Sequence, residues 1–225
     1  MNSQAVEDYL KAIYKLQSSQ PKVVTSALAE HLGVNPASAT GMIKKLAESR
    51  LVSHERYQGV KLTPPGKKIA LEVIRHHRLV ELYLAEALNV PWDQVHDEAE
   101  KWEHVLSEDL EDRIDEILGY PTTDPHGAPI PSRDGDIEIR DTEFLPKLAE
   151  GDSAVIVEVS DHDTDLLRYL GKLQLYPQTI IRIISIAPFD QLITVRVGLS
   201  DDATNDFVIG QKVASSSLVS KVKED

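Results

Sequence analysis

Apolar residues recur along the chain with two periods, and the change from one to the other falls near residue 150. Ala5, Tyr9, Ala12, Ile13 and Leu16 share one face of a 3.6-residue repeat, which predicts an amphipathic helix over residues 5–16. Thr25 is placed to cap a second helix over 26–31, with Leu28, Ala29 and Leu32 turned inward. Gly33 permits a tight turn. Asn35 then caps a third helix with Pro36 at its first position, where the missing N–H costs nothing. Ala39, Ile43 and Leu46 form the buried stripe of that helix. Beyond it, "LVSHE" and "VKLT" alternate like strands around "RYQG". Two short helices across a glycine turn, followed by a hairpin, predict a winged helix-turn-helix.

Thr63-Pro64-Pro65-Gly66 opens a long helix whose stripe is Ile69, Val73, His76, Leu79, Val80, Tyr83 and Leu84. Asn89-Val90-Pro91-Trp92 ends it. The stretch "DQVHDEAEKWEHVLSEDLEDRIDEIL" reads as one further helix. Its apolar Val95, Ala99, Trp102, Leu106, Leu110, Ile114 and Ile117 exceed what a small winged helix needs as cover, so a homodimer interface is the expected use. Residues 134–150 read as a connection around a short amphipathic piece. Then "AVIVEVS", "TIIRIISIA", "LITVRVG" and "DFVIG" follow period two, with a short helix in "DHDTDLLRYLGKLQLYP", which predicts a small β-barrel. The expected fold is mainly α with small β: a winged helix-turn-helix over 1–65, a helical metal-binding and dimerisation domain over 66–140, a linker over 141–150, and a β-barrel over 151–225.

Composition narrows the function. The chain has 225 residues, no cysteine and a net charge of −13. With no disulfide framework, no apolar leader segment and no run long enough to span a bilayer, a cytoplasmic protein without membrane contact is expected. The overall acidity hides a split. Residues 1–70 carry a net +5, residues 71–140 a net −12 and residues 141–225 a net −6. A basic segment ahead of two acidic ones suggests different partners for each.

The basic third fits double-stranded DNA. The candidate contacts are Thr25 and Ser26, then Asn35, Pro36, Ala37, Ser38, Thr40, Lys44 and Lys45 on the third helix, and Arg56 and Lys61 on the hairpin. The alternative is a three-helix protein-binding module, against which the local charge and the basic wing weigh. Gly41 and the other small residues of that face, with no long base-reading side chain, suggest thymine-methyl contacts and DNA shape as readout.

The acidic middle holds potential metal ligands. His96, Glu100, Glu103 and His104 fall at i, i+4, i+7 and i+8, one stripe of a continuous helix. His77 and Glu81 form an i, i+4 pair on the preceding helix. Either set alone suits a solvated face, but together they point to metal. No H-E-x-x-H occurs, and no catalytic motif or small-molecule substrate site is apparent, so a regulator is favoured over a metal-storage protein or a metal-dependent enzyme on a helical scaffold.

At this point "EDYLKAIYKL", "LVELYL", "VHDEAEKWEHVLSED" and "DPHGAPIPS" matter together. Through them the chain resembles the diphtheria toxin repressor and manganese transport regulator family of metal-activated, winged-helix repressors, densely over residues 5–133. The resemblance implies a primary metal site on Asp8, Glu100, Glu103 and His104 and a second on His77, Glu81 and His96. It also implies an SH3-like, FeoA-like C-terminal domain, from which His162 and Asp165 would join the second site; the plain reading of that loop is a helix cap at Asp163 or Thr164. Iron-type members carry methionine and cysteine where this chain has Asp8 and Glu100. The two carboxylates are the manganese-type pattern, although that pattern often has a third carboxylate where this chain has Lys11. The implied cofactor is Mn²⁺, with Fe²⁺ as the alternative and Co²⁺, Cd²⁺ or Zn²⁺ as tight binders in vitro. The implied function is repression of manganese or iron uptake genes by a dimer on a palindromic operator.

Overall fold

The computed structural model describes residues 3–20, 22–55, 59–198 and 205–222, and these fall into two compact units. The first comprises residues 1–77, 100–111 and 131–137, and the second residues 78–99, 112–130 and 138–225.

In the first unit, α1 (Gln4–Ser19), α2 (Thr25–His31) and α3 (Pro36–Glu48) precede a hairpin of β1 (Val52–Glu55) and β2 (Gly59–Leu62). Leu10, Ile13, Leu28, Ile43 and Leu46 are fully buried and form its core with Val23, Val52 and Val60. Asn35 caps α3 as expected, its side-chain oxygen accepting from Ser38 N–H at 2.8 Å. Thr25 does not cap α2. It is the first residue of that helix, and Val24 stands at the cap without a side-chain hydrogen bond. The hairpin register pairs Val52 with Leu62 and Glu55 with Gly59.

Next come α4 (Pro64–Glu86), α5 (Val95–Trp102) and α6 (Glu108–Ile117). The single helix expected over 93–118 is therefore two. The break has a local cause. Ser107 begins α6, its carbonyl accepting from Leu110 and Glu111 and its hydroxyl 3.4 Å from Leu110 N, while Glu108, Asp109 and Glu111 complement the positive helix end. Glu103 and His104 consequently lie in the turn between two helices and not on a helical stripe.

The second unit carries an antiparallel sheet in the order β3 (Glu143–Phe144), β8 (Ser217–Lys221), β4 (Ser153–Val159), β5 (Ile180–Ile186), β6 (Ile193–Val197) and β7 (Asp206–Ile209), with α7 (Thr164–Lys172) and α8 (Gln211–Ala214). Among the described residues β3 and β7 are its edges. Leu145 and Leu148, within the stretch read as a linker, are buried with Ile156, Leu167, Leu170, Ile181 and Val195 in this unit's core. Asp163 caps α7 by accepting from Leu166 N–H at 3.0 Å. No helix of the described residues is long and apolar enough to cross a membrane.

Candidate metal centre

Three of the four expected primary ligands converge within the first unit. Asp8 on α1 and Glu103 and His104 in the α5–α6 turn bring ligand atoms within 4.8 Å of one another. His104 Nδ1 lies 2.7 Å from a Glu7 carboxylate oxygen. A carboxylate only accepts, so Nδ1 carries a proton, and in the neutral ring the lone pair is then on Nε2. That lone pair faces Asp8 Oδ1 at 2.8 Å and Glu103 Oε1 at 3.2 Å, and it is buried without a hydrogen bond. Three acceptor atoms aimed at one another repel unless a cation or proton sits among them. The donor set therefore fits a divalent cation. Burial pushes the Asp8 carboxyl above its usual range, with the Glu103 charge adding to it and His104 opposing it.

Glu100, the fourth expected ligand, groups with His77 and Glu103 around Lys11. His77 Nδ1 is hydrogen-bonded to Glu103 and lies 3.7 Å from Glu100. Helical spacing gave no sign of Glu7, which sets the His104 tautomer, or of the contacts made by Lys11.

The second unit holds another cluster. Glu81, fully buried, lies 3.1 Å from His96 Nδ1, and Asp161 lies 3.4 Å from the same nitrogen. Glu81 also forms a group with Asp124 and His126. His126 donates from Nε2 to the Trp92 carbonyl at 2.8 Å, which leaves its buried Nδ1 without a hydrogen bond, 3.7 Å from Glu81 Oε2. Asp124 holds this loop by accepting from the N–H groups of His126 (2.8 Å) and Ala128 (3.0 Å).

The electrostatics are those of carboxylates short of a cation. For His96, burial works against protonation, but Asp161 and Glu81 outweigh it and raise the imidazole to about 10. For His126 burial is again outweighed, chiefly by Glu81, and the value rises to about 9. Burial and the Glu81 charge push Asp124 up to about 7. Of the donors expected from the C-terminal domain, His162 sets its ring edge-on to His96, centroids 5.7 Å apart, and is half exposed. Asp165 is 93% exposed and faces Arg168, whereas Asp161, absent from the sequence reading, reaches the cluster. Asp124 and His126 were missed too; "DPHG" was noticed only as a loop signature.

On the basic face, Ser26, Asn35, Pro36, Ala37, Ser38, Thr40, Lys44, Lys45 and Lys61 are exposed and Thr25 is half-buried. Arg56 lies outside the described residues.

Known proteins give a concordant picture. Residues 1–60 match the family described as iron dependent repressor, N-terminal DNA binding domain. Residues 63–132 match the iron dependent repressor, metal binding and dimerisation domain, and 145–221 match the FeoA domain. The iron-dependent repressor IdeR of Mycobacterium bovis is 36% identical over 125 residues, which is 56% of this chain and 54% of that protein. The chain thus spans about half the length of such relatives. The HTH-type transcriptional regulator MntR of Oceanobacillus iheyensis is 38% identical over 120 residues, 53% of this chain and 81% of that protein. Among solved structures, a manganese-dependent transcriptional repressor in complex with manganese shares 38% identity at a TM-score of 0.89, covering 96% of this chain and all of that one. ScaR with bound Zn²⁺ shares 30% identity at a TM-score of 0.80, over 96% of this chain and 99% of that one.

Proposed function

The chain belongs to the iron-dependent repressor family, and from that premise we propose that it is a metal-activated, DNA-binding transcriptional repressor whose signal is Mn²⁺, with Fe²⁺ as the alternative. The observation that carries this reading is His104 Nε2, buried without a hydrogen bond and held against Asp8 and Glu103. Asp8, Glu100, Glu103 and His104 are the residues that would hold the ion of the primary site. Bound there, a divalent ion supplies the positive charge that lets α1 and the α5–α6 turn share one position. Carboxylate and imidazole donors in a chain without cysteine suit Mn²⁺, while Co²⁺, Zn²⁺ and Cd²⁺ remain tight competitors. The second cluster is proposed on Glu81 and His96, extended by Asp161, Asp124 and His126.

The residues of this chain do the remaining work. Glu7 orients His104, and α1, whose apolar face packs into the helix-turn-helix core, carries Asp8. In the proposed homodimer, exposed Leu110 and Ile117 of α6 supply apolar contact area. Two copies of α3 would then read a palindromic operator, with Lys44, Lys45 and Lys61 on phosphates. The coupling expected between metal and DNA is about 1–3 kcal/mol and is reciprocal.

Fluorescence anisotropy on DNA from upstream of metal-transporter genes tests the reading, comparing chelated protein with added Mn²⁺ or Fe²⁺ at fixed salt. Specific binding that requires metal is the expected result. Equal binding with and without metal overturns it.

A further inference from the structure

The two triads of the first unit share Glu103. Asp8, Glu103 and His104 form one, and His77, Glu100 and Glu103 form the other. They differ in what sits among their acceptors. The Lys11 ammonium lies within the second triad, 2.6 Å from Glu100 Oε1, 2.8 and 2.7 Å from the two Glu103 oxygens, and 3.4 Å from His77 Nδ1. The Lys11 side chain is 8% exposed and Glu103 is fully buried. Burying a primary ammonium at such a place costs free energy unless its N–H groups are all accepted, as they are here by three carboxylate oxygens. Asp8 and Lys11 stand at i and i+3, so one face of α1 delivers an anion to the first triad and a cation to the second.

Charge counting gives the consequence. Asp8, Glu100 and Glu103, the carboxylates of the two triads, bring three negative charges, and Lys11 returns one positive charge; Glu7, outside both triads, is paired with His104 Nδ1. The remainder is matched by one divalent ion. A second divalent ion would have to enter a triad already filled and leave a buried excess of positive charge.

Resting on the primary site proposed above, we propose that Lys11 is the resident cation of the second triad: its ammonium restricts the primary centre to a single divalent ion, and its charge, acting across Glu103, sets the concentration at which that ion binds. The residue is thus a determinant of stoichiometry and threshold and not itself a ligand.

The test counts Mn²⁺ per chain and records its paramagnetic resonance spectrum in the full chain carrying Glu81→Gln, which removes the carboxylate central to the other cluster. With Lys11 intact, one equivalent with the signal of an isolated ion is expected, and His104→Ala should abolish it. In Lys11→Glu a second equivalent and an exchange-coupled pair should appear. Lys11→Gln keeps the stem without the charge, and there the single ion should bind about tenfold more tightly because cation–cation repulsion is gone. One equivalent in Lys11→Glu, two in the chain with Lys11 intact, or unchanged or weaker affinity in Lys11→Gln overturns the proposal. Mn²⁺ binding that survives His104→Ala overturns the primary site instead, so the two failures are distinguishable.

Discussion

His76 stands between two acceptors: its Nε2 lies 3.1 Å from a carboxylate oxygen of Glu111, and its Nδ1 lies 3.0 Å from the backbone carbonyl of Glu103. Neither partner can donate while Glu111 is ionised, so both ring nitrogens carry protons and the buried ring is an imidazolium. Arg75 binds the other Glu111 oxygen and the Pro131 carbonyl. The network fixes the backbone of Glu103 from behind while its carboxylate faces the candidate metal centre.

A pH window follows for the metal-free protein. Burial alone would raise Glu111, but His76 and Arg75 outweigh it and hold the carboxyl below its ordinary 4.5. This contribution is present above about 4.5 and lost as pH falls through the depressed value. Burial alone would lower His76, but Glu111 and the Glu103 carbonyl hold it above its ordinary 6.5. That contribution is complete below 6.5 and lost as pH rises through the raised value. The stabilisation from this network should therefore be greatest between about 4.5 and 6.5, and Glu111→Gln should flatten the fall in thermal midpoint on both sides. An unchanged pH profile in Glu111→Gln would remove the network from the account.

Glu103→Ala and His104→Ala should each abolish the metal-dependent gain in DNA binding while leaving a folded chain. Glu103 also neutralises Lys11, so the first should lower thermal stability as well; loss of one partner from a buried pair costs about 3–5 kcal/mol. His104→Ala should lower stability less, by about 1–3 kcal/mol, because it removes the Nδ1 hydrogen bond to Glu7 but leaves no buried ammonium unpaired. Anisotropy and thermal melts on the two variants separate these effects. A full metal response in either one removes the primary site.

Glu100→Cys should move the metal preference from Mn²⁺ toward Fe²⁺, because a thiolate favours the softer ion where a carboxylate favours the harder one. Glu100 is partly exposed and one of several Lys11 partners, so the exchange is expected to be tolerated by the fold. DNA-binding titrations with each ion are the measurement, and an unaltered ranking would place selectivity elsewhere.

What was legible in the sequence was local. Asn35 and Pro36 announce the start of α3 because cap and first-turn chemistry act over three residues. The end of α5 was hidden because apolar Trp102, Leu106, Leu110 and Ile114 keep helical spacing across the break, and His96, Glu100, Glu103 and His104 keep it too. Only Ser107 and the acidic residues after it mark the interruption. The other omissions are of a different kind. Asp124 and His126 act through a loop whose shape depends on backbone contacts to distant residues, and the choice of Asp161 over Asp165 depends on how the α7 cap turns the chain. Neither has a period to read. Glu7 and Lys11 lay on a helix whose face was legible, but their partners are about ninety residues away.

Gly127 shows how tightly that loop is held. Its φ is +88°, and a Cβ would lie 2.0 Å from the Val157 carbonyl oxygen. Gly127→Ala should destabilise the second unit by about 2–4 kcal/mol, combining left-handed backbone strain with overpacking against main chain. The same change should weaken metal binding at Glu81, His96 and His126 before it affects the primary centre. Calorimetry would show an earlier melting component, and a wild-type melting profile would contradict the argument.

The last prediction concerns how α1 reaches the wing. In the β1–β2 ladder the N–H groups of Val60 and Leu62 point away from β1. Val60 N–H donates to the Val23 carbonyl at 2.9 Å, and Leu62 N–H donates to the side-chain oxygen of Gln17 at 3.0 Å. Gln17 lies nine residues beyond Asp8 on the same rigid helix, so a displacement of α1 at its acidic end is carried to the wing strand. Gln17→Ala should cost only about 1 kcal/mol of stability, the usual net worth of one hydrogen bond. Its effect on function should be larger in kind: metal affinity without DNA should be unchanged, while the factor by which metal tightens DNA binding should shrink. Gln17→Glu keeps the acceptor oxygen and should restore most of the coupling. Equal coupling in the wild type and in Gln17→Ala would show that the wing takes its position from α3 and Val23 alone.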